Sequence, residues 1–124
     1  MRAVDPPEDW LCKVYDGHVL VDLIHRPNEH PVTEGTLCRA ESLRIGSVQA
    51  PVVTATDLIT DKLLVLGPHR CDLTETLPVA RALREQIDWA EVRVRTRDSP
   101  YAEAFLLLLD RLAVADGATQ RRMP

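Results

Sequence analysis

An aspartate set inside an aliphatic run is the first residue of this sequence whose type and place could do chemistry: Asp22, in Val19-Leu20-Val21-Asp22-Leu23-Ile24. Strand alternation puts its side chain on the same face as Leu20 and Ile24. A carboxylate there either hydrogen-bonds a loop or pairs with an arginine on a half-exposed strand, or it acts as a metal ligand or general base. One carboxylate fills only part of a magnesium shell, so the second use needs partners. Lys62 is the next candidate, because it occupies the apolar register of Thr56-Asp57-Leu58-Ile59-Thr60-Asp61-Lys62-Leu63-Leu64. A lysine there snorkels to solvent or pairs with an acid, or else presents a point charge to phosphate. Asp57 and Asp61 can favour the helix N-terminus or pair locally with Lys62. His69, Arg70 and Asp72 cluster after Gly67-Pro68, where capping and surface pairing compete with a site.

Other chemistries lack their residues. His18, His25 and His30 have no recognised ligand spacing, and the last two lie just before and within the proline-broken stretch Arg26-Pro27-Asn28-Glu29-His30-Pro31. Cys12, Cys38 and Cys71 are odd in number and show no CxxC, which points to reduced structural thiols in a cytoplasmic protein rather than to a disulfide framework or a zinc knuckle. GxSxG, GxxxxGK[ST] and GxGxxG are all absent. Lysine and arginine total 15 against 19 acids, a net charge of −4, and aromatic residues are only 4% of the chain. That balance disfavours non-specific binding to nucleic acid, whether by phosphate contact or by base stacking. The longest apolar run, residues 104–109, falls far short of the about 20 residues a membrane span needs. The opening Met-Arg-Ala-Val-Asp-Pro-Pro-Glu-Asp carries acids and prolines where a signal peptide needs an apolar stretch.

These candidates need elements to hold them. Residues 10–15 and 18–24 are β-favouring runs separated by Asp16-Gly17, which predicts a hairpin with a type I′ turn. Thr33 can cap a short helix reaching about residue 41, although Gly35 weakens it. Residues 43–48 and 51–53 read as two more short strands, the second at an edge because Pro51 cannot donate to a ladder. From Thr54 the period becomes helical, with Thr54 and Asp57 as a capping box and Gly67-Pro68 as the stop. Further helices are predicted over residues 77–86, with Val79, Leu83 and Ile87 facing the core, and from Asp88 to about Arg95. A last helix follows the Ser99 cap and Pro100 and runs to about Ala113. Its stripe is Tyr101, Ala104, Phe105, Leu108 and Leu112, and Leu106, Leu107 and Leu109 widen it. Strands before helices predict an α+β fold: an N-terminal hairpin and a small mixed or antiparallel sheet, then a C-terminal helical group. We expect one domain over residues 1–115, strand-rich over 6–53 and helical over 54–115, followed by a flexible tail over 116–124.

The run Pro6-Pro7-Glu8-Asp9-Trp10-Leu11-Cys12-Lys13-Val14-Tyr15-Asp16-Gly17-His18-Val19-Leu20-Val21-Asp22-Leu23-Ile24-His25-Arg26-Pro27 resembles the later strands of bacterial nucleotidyltransferase-like proteins of the DNA polymerase beta type. Val53-Thr54-Ala55-Thr56-Asp57-Leu58-Ile59-Thr60-Asp61-Lys62-Leu63 resembles the helix opening after their minimal catalytic core, and residues 77–101 resemble the helical remainder of actinobacterial members. The likeness spans about residues 6 to 115. It implies a partial nucleotidyltransferase fold and magnesium-dependent transfer of a nucleoside monophosphate from an NTP to an acceptor it does not name. Two metals then stabilise the attacking and leaving oxygens of an in-line displacement. By the same resemblance Asp22 matches the third acid and metal ligand, Lys62 lies near the phosphates, and Asp72 is a weaker match to the acid that orients an acceptor in some relatives.

The family's Gly-Ser element and Asp-x-Asp pair have no counterpart upstream of Trp10. The resemblance therefore implies a site completed by another segment or chain, with self-association or a protein partner covering an open sheet edge and the surface of residues 106–109. The alternative is a non-catalytic remnant or interaction module, for example one member of a toxin and antitoxin pair.

Overall fold

The computed structural model describes residues 1–25 and 32–115. It is an α+β fold with two small antiparallel sheets and five helices among the described residues. The chain forms two compact units, Met1–Arg39 and Ala40–Pro124. The change from strand to helix period at Thr54 falls inside the second unit. The expected tail over 116–124 and the proline-broken stretch after His25 lie outside the described residues.

The first unit carries a three-stranded sheet in the order β1-β2-β3: β1 Arg2–Val4, β2 Leu11–Asp16 and β3 Val19–Ile24. The short β1 was not expected from the sequence, and it pairs Ala3 with Val14. The predicted hairpin is present, but its turn sits one residue later than predicted. Asp16 pairs with Val19, so Gly17 and His18 form the loop. Gly17 has φ +63°, while His18 is not among the residues of positive φ. Glycine at the first loop position alone is the type II′ arrangement, not type I′. A short helix, α1 Glu34–Arg39, follows, with the Thr36 amide donating to Thr33 Oγ1 at 3.3 Å.

The second unit opens with another hairpin, β4 Glu41–Ile45 and β5 Val48–Val52. The single strand expected over 43–48 is broken by a Gly46-Ser47 loop in which Gly46 takes φ +61°. The physical cause is the same as at Gly17: only glycine enters the left-handed region without steric cost. Ladder alternation leaves the Pro51 nitrogen turned away from β4, which explains why proline is tolerated there.

Helix α2 Ala55–Leu64 starts as predicted, with the Asp57 amide donating to Thr54 Oγ1 at 3.0 Å. It packs against α3 Thr76–Leu83, α4 Trp89–Arg95 and α5 Pro100–Arg111. Asp88 caps α4 and Ser99 caps α5 through side-chain oxygens that accept from Glu91 and Ala102 amides. The core is Ile59, Leu63, Ala80, Ile87, Trp89, Val92, Phe105 and Leu109 with their buried neighbours. On α3 the fully buried residue is Ala80, with Val79 and Leu83 only half-buried.

The buried face of α5 differs from the predicted stripe. Ala102, Phe105, Leu106 and Leu109 are inside, whereas Ala104 and Leu112 are exposed. A run of four leucines is apolar all round, so periodicity alone could not choose its inner face. The leucine surface expected to stand open is largely core, and of residues 106–109 only Leu107 is exposed. After Arg111 the helix stops with Ala113 at φ 57°, Ala113 N–H on the Asp110 carbonyl and Val114 N–H on the Leu109 carbonyl. That is a Schellman stop with alanine where glycine is the usual choice.

Candidate functional site

The three sequence-predicted residues occupy different elements. Asp22 stands on β3, within the first unit, opposite Lys13 of β2. The Lys13 ammonium donates to Asp22 Oδ1 at 3.1 Å, and the carboxylate is 43% exposed. Register sets Leu11, Lys13, Tyr15, Leu20, Asp22 and Ile24 on one sheet face, with Arg2 above the Tyr15 ring at 5.2 Å. Asp22 thus has one cation, Lys13, as its partner, and no second acid shares this face of the strands. The opposite face carries Ala3, Cys12, Val14, Val19, Val21 and Leu23 and is apolar apart from Asp16 at its end.

Lys62 is half-buried on α2, beside the core positions Ile59 and Leu63 rather than in line with them, and it makes no hydrogen bond or ion pair among the described residues. Its neighbour by sequence, Asp57, is committed elsewhere, accepting from Arg95 Nη1 at 2.6 Å. Asp72 is exposed and closes an Asx turn. Its Oδ1 accepts from the Thr74 amide at 2.9 Å and from the Thr74 hydroxyl at 2.6 Å. Those two bonds favour the charged carboxylate and hold its pKa below the usual aspartate value. Arg70 and Gly67 exchange backbone bonds at 2.8 and 3.1 Å, leaving His69 exposed at the tip. No cluster of three or more His, Cys, Asp or Glu able to hold a metal occurs among the described residues. His30, one of three histidines weighed above, lies outside them.

Sequence reasoning missed a cleft of about 660 Å³ between α4 and α5, lined by Arg93, Arg97, Glu103, Leu107 and Asp110 among others. Arg93 Nη2 donates to Asp110 Oδ1 at 2.7 Å, so one cation and one anion of the cleft already satisfy each other. The i, i+4 spacing of Arg93 and Arg97 was the available signal. The cleft's two arginines and two acids balance in charge, and its one hydroxyl, Thr96 Oγ1, donates to the Val92 carbonyl at 2.8 Å.

Set against family models, curated proteins and solved structures, the chain matches none of them. No helix among the described residues is long and apolar enough to cross a membrane.

Proposed function

We propose that this chain is a protein-interaction module that takes up a partner's strand along its N-terminal sheet. One observation carries the reading: β3 is an outer strand of its sheet among the described residues, and all six of its residues are exposed. Edge strands of this kind are normally protected by proline, lysine, a bulge or a covering element. β3 has no proline and no lysine, its register with β2 runs without a bulge, and its single charge, Asp22, is paired with Lys13 of β2. Val19, Val21 and Leu23, at 45–53% exposed, extend the apolar face beside that edge. Main-chain groups then give affinity and alternate side chains give specificity. The free thiols Cys12, Cys38 and Cys71 fit the cytoplasm, where this reading puts the chain. A photo-crosslinking residue at Leu23, installed in native cells, tests it. The expected result is one discrete adduct that disappears with Val14→Lys, and a chain recovered only without adduct overturns the reading.

A second reading, nucleotidyl transfer, is favoured by the exposed carboxylate of Asp22 next to an open edge. A strand bearing two further acids could pair there and share magnesium with Asp22. Millimolar ATP or GTP with magnesium should then raise the melting temperature of the assembled protein. Asp22→Asn should abolish transfer without unfolding it, and unchanged activity refutes the assignment.

A further inference from the structure

The open edge has a defined chemistry. The His25 amide donates to the Trp10 carbonyl at 3.0 Å, which fixes the phase of the β2–β3 ladder. Hydrogen-bonded pairs alternate from there, so residues 19, 21 and 23 spend their backbone groups on β2. The N–H and C=O groups of Leu20, Asp22 and Ile24 therefore face away from β2, toward the open side.

We infer that the occupant of this edge is a second copy of the same chain, paired antiparallel through β3 about a two-fold axis at Val21. The inference rests on the interaction reading above and names its partner. A two-fold axis normal to the sheet brings together outward groups of the same parity, so the edge is complementary to itself. Four registers, centred on residues 20 to 23, satisfy that condition within β3. Centring on Asp22 places two carboxylates directly opposite each other, which destabilises a cross-strand pair. Centring on Leu20 or on Leu23 leaves only residues 19–21 or 22–24 of β3 facing their mates. Centring on Val21 pairs residues 19–23, sets Asp22 opposite Leu20 of the second copy and keeps each Asp22 with its own Lys13. The apolar face of Val19, Val21 and Leu23 then runs unbroken across the seam.

The register is testable with the full chain. At the axis Val21 meets its own mate in a pair without cross-seam hydrogen bonds, where Cα atoms lie about 4.5 Å apart, within disulfide reach. Val21→Cys should form a dimer of twice the 13.9 kDa chain mass on mild oxidation, with the bond mapped to residue 21 by peptide mass. Asp22→Cys should not, and wild-type protein controls for Cys12, Cys38 and Cys71. Leu20→Pro removes an outward N–H and no β2 bond, so it should raise the dimer dissociation constant at least tenfold while the circular dichroism stays unchanged. Cross-linking through Asp22→Cys and not Val21→Cys overturns the register, and an undiminished Leu20→Pro dimer overturns the seam. A wild-type chain that scatters light as a monomer up to hundreds of micromolar overturns the second copy. If position 23 then still yields an adduct of another mass, the interaction reading stands alone; if it yields none, both fall.

Discussion

Arg95 donates from Nη1 to Asp57 Oδ1 at 2.6 Å, tying the last turn of α4 to the first turn of α2. The carboxylate is 5% exposed and the guanidinium side chain 29%, so the pair is largely withdrawn from water. A second tie runs alongside, since the Asp88 amide donates to Thr56 Oγ1 at 2.9 Å. Two consecutive residues of α2 therefore hold the N-cap residue and the last residue of α4.

A double-mutant cycle on Asp57→Asn and Arg95→Met measures that tie. The expected coupling is about 1–3 kcal/mol by urea denaturation, because residues sharing a buried charge pair are not additive. Additivity within about 0.3 kcal/mol would show that the contact carries no stability.

The four leucines of α5 separate sharply by position. Leu109→Ala should cost about 2–5 kcal/mol, since Leu109 is fully buried in the core. Leu107 is 59% exposed, and Leu107→Ala should stay within about 0.5 kcal/mol of wild type. Equal losses at both positions would contradict the face described for α5.

Ala113 occupies the left-handed region at φ 57°, a conformation that costs an L-residue about 1–2 kcal/mol. Ala113→Gly relieves that cost but loosens the unfolded chain, so a net gain of about 0.5–1 kcal/mol is expected. A melting temperature that falls on this substitution would remove the strain assigned to the cap.

Asp72 links stability to pH through its two bonds from Thr74. Its pKa is lowered in the folded state, so its contribution is present above the unfolded aspartate value and is lost as pH falls through the folded one. The melting-temperature difference between wild type and Asp72→Asn should accordingly be constant near neutrality and shrink in the acid range. A difference that grows on acidification reverses the sign and excludes the Asx turn as its source.

Much of this fold was legible because its signals are local. Thr54, Asp88 and Ser99 announced three helix starts, since a cap needs only a side-chain oxygen and an amide three residues on. The hairpin turns were harder. Asp16-Gly17 and Gly17-His18 both satisfy a turn pattern, and only pairing along the strands sets which is the loop. The partners of the candidate residues were not legible at all. Lys13 reaches Asp22 through strand register and Arg95 reaches Asp57 through helix packing, neither of which spacing along the chain reveals. The α5 stripe failed for the opposite reason, an excess of apolar signal.

Every strand pairing described above joins neighbours in sequence, closed by a turn or a short loop. Such hairpins zip in about 1–10 μs, long before a ribosome adds another residue at about 5–20 per second. Pairing of β1, β2 and β3 therefore needs no residue beyond Ile24, so it can start once that segment clears the exit tunnel, while α2 through α5 are still being made. Assembly through the β3 edge can begin on the polysome, before the helical core exists.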